Sequence, residues 1–209
     1  MRITHPRWLG VIAVLVSLFL LPAPSVAAAP QPMPPAAPNP RILMVTELGP
    51  IVYELYQDKA PKSVEQFLRY VDTGYVNGGS FFRSARQDNQ PGNAVKIDVI
   101  QGDVHPWTAK VPPLPPVELE TTAQTGLTHS AGTLSFARTG PSPANSSFFI
   151  TAEDEPELDF GGKRHPDGQG FAAFGRVVQG MEVVHLIHAL PTHGQSIVVP
   201  PRILSATRI

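Results

Sequence analysis

An arginine and a glutamine stand at the two mouths of a polar loop in this chain. The segment SFFRSARQDNQPGNAVKIDVIQGDV, Ser80 to Val104, carries Arg83 behind two phenylalanines and Gln101 at the end of a strand-like run. A guanidinium keeps its charge at any physiological pH and presents its donors on a stiff planar fork, so it can stabilise an electron pair that develops during a reaction. An exposed arginine in a loop more often serves solubility, and the pair gains chemical meaning only from what positions it. Other candidates carry less. His185 and His188 lie three apart on a helical stretch, but no third ligand follows with metal-site spacing, so no metal site is expected. The run GGKRHPDGQG, Gly161 to Gly170, precedes a strand and lacks the strand-to-helix setting and Lys-Ser/Thr ending of a phosphate loop; it is expected to be a surface loop. His129 and Ser130 would need a Gly-x-Ser-x-Gly elbow to suggest a hydrolase, and the chain has none.

The elements around these residues begin after two segments that are not expected to pack. Residues 1–29 carry Arg2 and Arg7, an apolar run of about 14 residues from Trp8 to Leu21, and a small-residue stretch ending near Ala29, the order of a secretory signal peptide. The run is short of the roughly 20 residues of a membrane-spanning helix. Cleavage near Ala28 is expected, giving a periplasmic or secreted protein; an uncleaved anchor facing the periplasm is the alternative. Residues 30–40 continue a stretch in which eight of nineteen positions from Pro22 to Pro40 are proline, read as a disordered tether. Without Arg2 and Arg7 the mature chain has 14 basic against 17 acidic side chains, which argues against a nucleic-acid partner. There is no cysteine, hence no disulfide and no lipid-modified cysteine, and stability must come from one buried core.

From Arg41 onward the pattern is mainly β. Arg41 to Leu48 and Ile51 to Gln57 read as a hairpin about Gly49-Pro50. Ala60 to Gly74 places Val64, Phe67, Leu68 and Val71 on one helical stripe, with Pro61 near its start and Gly74 at its stop. Further strands are expected at Ile97–Ile100, Gly132–Ala137, Ser147–Thr151, Phe171–Val178 and Arg202–Ile209, with a second helix after Gly180 stopped by Pro191. Short strands with two helices imply a closed or nearly closed antiparallel barrel, its ends covered by the helices. Lys110 to Glu120 reads as an extended surface crossing.

Five blocks in order carry a family likeness: IVYELYQDKAPKSVEQFLRYVDTGYVNGGSFFR, IQGD, GTLSFART with SSFFIT, FAAFGRVVQGMEVVHLI, and ILSAT. Together they resemble the cyclophilin family of peptidyl-prolyl cis-trans isomerases over residues 41–209, and Leu190-Pro-Thr-His193 is similar to a segment of its exported bacterial members. The resemblance implies a closed antiparallel eight-stranded β-barrel capped by two α-helices. It also implies an enzyme that rotates X-Pro imide bonds in exported proteins, binds proline-containing segments of folding chains as a monomer, and needs no cofactor. By position Arg83 matches the catalytic arginine and Gln101 the glutamine that orients it, with the loop between them merely returning the chain. Phe149 matches the floor of the proline socket, Phe148 its buried neighbour, and Leu158 a wall. Ala137 lies beside the peptide, and Phe82 and Phe136 fall among the substrate-binding positions.

The chain departs from the family at several of these positions. Asp98 and Val99 stand where the family usually has a Phe-Met pair lining the socket, and a carboxylate at an apolar rim is costly if buried. Either Asp98 turns outward and Val99 or an insertion residue fills the gap, or proline binding is weaker; the altered socket, through Asp98 and Val99, leaves a proline-peptide-binding chaperone module with weak or no turnover as the alternative function. Arg138 replaces an asparagine whose backbone grips substrate, Ser147 a glutamine, Phe171 a histidine, and Glu157 a tryptophan, the last implying poor cyclosporin binding.

Overall fold

Alternating apolar residues make the first hairpin. In the computed structural model, which describes residues 38–103, 114–138 and 147–209, β1 (Arg41–Thr46) buries Ile42, Met44 and Thr46 and pairs antiparallel with β2 (Gly49–Leu55). The expected turn at Gly49-Pro50 lies two residues earlier, at Glu47-Leu48. The Thr46 hydroxyl accepts from the Leu48 N–H (3.1 Å) and donates to the Gly49 carbonyl (2.8 Å), closing the turn there. Pro50 then sits near the start of a strand, where its missing N–H does least harm. The signal segment and most of the tether, like the start of the Lys110–Glu120 crossing, lie outside the described residues.

Helix α1 (Pro61–Asp72) buries Val64, Phe67, Leu68 and Val71, the stripe expected from spacing. Ala60 has no side-chain oxygen to cap it, and the Glu120 carboxylate takes that role by accepting the N–H groups of Lys62 (3.1 Å) and Ser63 (2.7 Å). Gly74, at φ 71°, ends the helix in the left-handed conformation, its N–H donating to Val71 and that of Tyr75 to Tyr70.

The remaining elements are β3 (Ser80–Ala85), β4 (Val99–Asp103), α2 (Thr122–Thr125), β5 (Thr133–Phe136), β6 (Ser147–Thr151), a one-turn 3-10 helix (Pro156–Leu158), β7 (Ala172–Gln179), α3 (Met181–His188), β8 (Thr192–His193), β9 (Ser196–Ile197) and β10 (Ile203–Arg208). All the strands form one antiparallel sheet in the order β10-β1-β2-β7-β5-β6-β4-β3-β9-β8. A seam of backbone hydrogen bonds joins residues 78–81, at the start of β3, to 201–203, at the start of β10, so eight strands curl round until their two ends meet. The mainly antiparallel β architecture matches expectation. The count differs through the two-residue strands β8 and β9, which form a hairpin around Gly194-Gln195, and through α2. A four-residue helix is too short for periodicity; its signals are the capping box of Thr121 with Gln124 and the left-handed Gly126.

Two apolar clusters result. In the larger, Phe67 of α1 packs against Phe148 (5.7 Å between ring centres) and Phe174 (5.4 Å). In the smaller, Ala85, Ile97, Val99, Phe149 and Leu158 are buried, with Ala137 and Phe171 packed against them.

Candidate active site

The neighbours Phe148 and Phe149 fall one into each cluster, as side-chain alternation along a strand requires. Cross-strand register extends each into a row. Phe81, Gly102, Phe148 and Phe136 are successive partners in one, Arg83, Gln101, Phe149 and Ser135 in the other. Alternation alone would put Phe81 and Arg83 on the same face. A bulge at Phe82, which has no partner in β4, shifts the register so that Arg83 joins the second row. Gly102 permits the close approach of Phe81 to Phe148: a Cβ there would lie 2.9 Å from the Phe148 ring.

The Arg83 guanidinium is held from two sides. Its Nη1 donates to Gln101 Oε1 (2.7 Å), while Nε (2.9 Å) and Nη2 (2.5 Å) both donate to Gln195 Oε1. Gln195 sits at the tip of the β8–β9 hairpin, 112 residues along the chain from Arg83, and nothing in its local sequence marks it. Among the described residues no carboxylate pairs with Arg83. Burial, and secondarily the charge of Arg164, press its pKa downward from the usual guanidine value. The fork is thus a half-buried cation oriented by two neutral carboxamides, with one N–H on each terminal nitrogen left for a ligand.

A cavity of about 370 Å³ opens beside it. Nine of the twelve expected residues line it: Arg83 and Gln101 at one side, Phe149, Leu158, Val99 and Phe171 as apolar surface, and Ala137, Arg138 and Ser147 at the edge. Three expected residues do not. Phe136 packs on Phe174 (4.6 Å) in the larger cluster, since it pairs with Phe148 rather than Phe149. Phe82 is the half-buried bulge residue. Asp98 turns away from the cavity, accepting from Gln87 Nε2 (2.5 Å) and lying 3.5 Å from His188 Nε2, where its charge is solvated by polar partners. Ile97 takes the socket position instead, with Val99.

The loop that supplies Ile97 does more than return the chain. Asn89 and Gln90 bond back to the backbone of Ser84, Arg86 and Ile97. The Arg86 guanidinium accepts nothing and donates to the carbonyls of His188 (3.0 Å) and Leu190 (3.1 Å), closing the C-terminus of α3. Beneath the floor, His129 stacks on Phe149 (5.8 Å, 16°) and is fixed by Asp159 at Nδ1 (2.7 Å) and Ser135 Oγ at Nε2 (3.0 Å). All three polar groups are packed behind the ring rather than lining the cavity.

The expected surface loop Gly161–Gly170 forms one wall. Arg138, only 6% exposed, donates bidentately to Asp167 (2.7 and 2.8 Å) and through Nε to the Gly170 carbonyl (2.7 Å), and its head lies 5.6 Å from the Phe171 ring centre. The pair with Arg138 holds the Asp167 carboxyl well below the usual range. This latch brings Arg164 and His165 to the cavity, a placement the loop's Gly-rich composition does not announce. Glu155, 6% exposed, accepts the Asp98 N–H (2.6 Å); burial pushes its pKa up to about 7, the Asp98 charge adding to the rise and that hydrogen bond opposing it.

Comparison with known proteins places these features in a family. Residues 41–208 match the family model described as cyclophilin type peptidyl-prolyl cis-trans isomerase/CLD. Peptidyl-prolyl cis-trans isomerase A of Dickeya dadantii is 32% identical over 204 residues, covering 95% of this chain and 96% of that protein. Peptidyl-prolyl cis-trans isomerase B of Escherichia coli is 34% identical over 149 residues, 70% of this chain and 83% of that one. Among solved structures, a cyclophilin type isomerase of Cryptosporidium parvum superposes with a TM-score of 0.63 at 21% identity, over 82% of this chain and 98% of that one. The same protein in the presence of the dipeptide Ala-Pro gives 0.61 at 22% identity, over 79% and 96%.

Proposed function

The chain belongs to the cyclophilin-type peptidyl-prolyl cis-trans isomerase family, and from that premise we propose that it turns X-Pro bonds of exported proteins in the cavity beside Arg83, assisting their folding. The imide bond is planar because the nitrogen lone pair is delocalised, and the rotation barrier is about 18–20 kcal/mol. At the twisted midpoint the lone pair returns to nitrogen. A donor aimed at that nitrogen stabilises the twist and not the planar ends, which is the condition for catalysis. The two open N–H groups of Arg83 are that donor. Gln101 and Gln195 hold the fork so that little reorganisation is needed at the moment of rotation. The proline ring sits on Phe149 between Val99, Ile97 and Leu158, so the bond turns about a fixed ring. No proton or nucleophile takes part. A 10⁵-fold acceleration would ask for about 7 kcal/mol, an order that a charge-assisted hydrogen bond and a pre-oriented substrate together supply.

The observation that carries this reading is the uncompensated Arg83 fork sharing one cavity with the apolar floor of Phe149. Of Asp98 and Val99, the two residues favouring a binding module with little turnover, Asp98 does not line that cavity, while Val99 lines it as apolar surface. Exchange spectroscopy by NMR on an Ala-Pro-Phe peptide tests the proposal. The purified protein should accelerate cis-trans exchange, and Arg83→Ala should slow it by about one to three decades with little change in peptide affinity; equal activity of the two would remove Arg83 from the mechanism.

Export is supported by residues 1–29, with their basic start, short apolar run and small-residue end, and by the proline-rich residues that follow. No helix among the described residues is long and apolar enough to cross a membrane. The intact mass of the exported protein reads this directly: loss of about the first 28 residues supports a freely periplasmic or secreted form, and retention supports the anchor.

A further inference from the structure

All 17 acidic side chains of the chain lie in the described residues, so the charge balance of the cavity can be followed residue by residue. Arg83 and Arg164 both line it, and neither forms an ion pair. The acids nearest in the fold are engaged elsewhere. Asp167 is bound bidentately by Arg138 and accepts from His165. Asp98 faces Gln87 and His188, and Asp159 faces His129. The Glu157 carboxylate accepts the Lys163 N–H on the exposed side. Glu155 acts attractively on Arg164, but its own burial draws it toward the neutral form.

Arg164 is also anchored. Its Nη1 donates to the Val95 carbonyl (2.6 Å), tying the Gly161–Gly170 loop to the loop between β3 and β4. The rest of its fork bonds to nothing among the described residues. Its charge reaches Arg83 strongly enough to lower the Arg83 pKa. A half-buried cation in a concave, partly apolar wall focuses its field into the cavity, because neither solvent nor counter-ions screen it fully there.

Resting on the isomerase reading of this cavity, we propose that Arg164 is a specificity-determining residue that makes the site prefer substrates with an acidic side chain next to the proline. The Arg138–Asp167 latch is what holds it in place. Arg83 supplies the stabilisation of the turning bond, while Arg164 selects which bonds are presented to it. A neutral peptide is accepted through the socket alone, and a lysine beside the proline meets two like charges.

The test is a matched series of end-capped peptides, Ala-X-Pro-Phe and Ala-Ala-Pro-X with X as Glu, Gln or Lys, followed by NMR exchange at low salt. In at least one series kcat/KM should be about five- to tenfold higher for Glu than for Gln and lower again for Lys, with the spread collapsing in 0.5 M salt, where the screening length falls to about 4 Å. Arg164→Gln should bring the Glu:Gln ratio near one, and Arg164→Lys should keep most of it, separating charge from loop integrity. A wild-type ratio near one in both series, with the Gln peptides turned over, overturns the inference and leaves the isomerase intact. A Glu preference that survives Arg164→Gln also overturns it. Absence of turnover on every peptide defeats the isomerase reading and this inference with it.

Discussion

Replacing Gln195 by alanine isolates the orientation of Arg83 from its charge. In the folded protein Gln195 accepts two of the three hydrogen bonds that hold the guanidinium, at Nε and Nη2, and only the Nη1 bond to Gln101 remains without it. A single bond to a terminal nitrogen lets the fork pivot and frees about two side-chain torsions. Each torsion has three staggered wells, so about nine arrangements replace one, an entropic loss of about 1.3 kcal/mol at the transition state, or about tenfold in rate. Water in the half-open cavity takes over the lost bonds, so no larger enthalpic penalty is added. The socket residues are untouched, and KM should stay within about twofold while kcat falls about tenfold. Exchange spectroscopy across a range of peptide concentrations separates the two constants. A Gln195→Ala protein with wild-type kcat would refute the idea that pre-orientation by the hairpin contributes to the rate, and an equal loss through KM would show that the hairpin binds substrate instead.

The socket and the buried acid give two further tests. Ile97→Ala removes three carbons from the socket wall, each worth up to about 0.8 kcal/mol when fully buried; KM should rise about tenfold, whereas Asp98→Ala, aimed at a residue outside the cavity, should leave KM within about twofold in the same peptide titration. Glu155 has a folded pKa raised to about 7 above the ordinary 4.5, so its neutral form favours the folded state: that contribution is complete below about pH 4.5 and is lost as pH rises through about 7. Urea unfolding should therefore show wild-type stability declining between those limits, and Glu155→Gln should flatten that part of the profile by about 1–3 kcal/mol; an unchanged slope would mean that Glu155 does not titrate there.

Much of the fold is legible along the chain because burial repeats with a local period. The α1 stripe of Val64, Phe67, Leu68 and Val71, the left-handed stop at Gly74 and the strand Ser147–Thr151 stand where spacing places them. Resemblance adds the expected site residues, most of which line one cavity. What composition and period do not reveal are short elements such as α2 and the β8–β9 hairpin, held by too few residues to show a period.

By itself, then, the sequence determined the order of the longer strands and helices, the buried stripe of α1, and the presence of an arginine, a glutamine and a phenylalanine in the right blocks. Tertiary structure alone decided which face Arg83 joins, through the unpaired Phe82 in the ladder, and which residue, Ile97 or Asp98, fills the socket. It also decided that Gln195 reaches Arg83 and that Arg164 reaches the cavity. The physical reason is that side-chain periodicity is a property of a single segment, whereas a bulge, a turned-out carboxylate and a bond spanning 112 residues exist only once separate segments have packed and competed for the same space and the same hydrogen-bond partners.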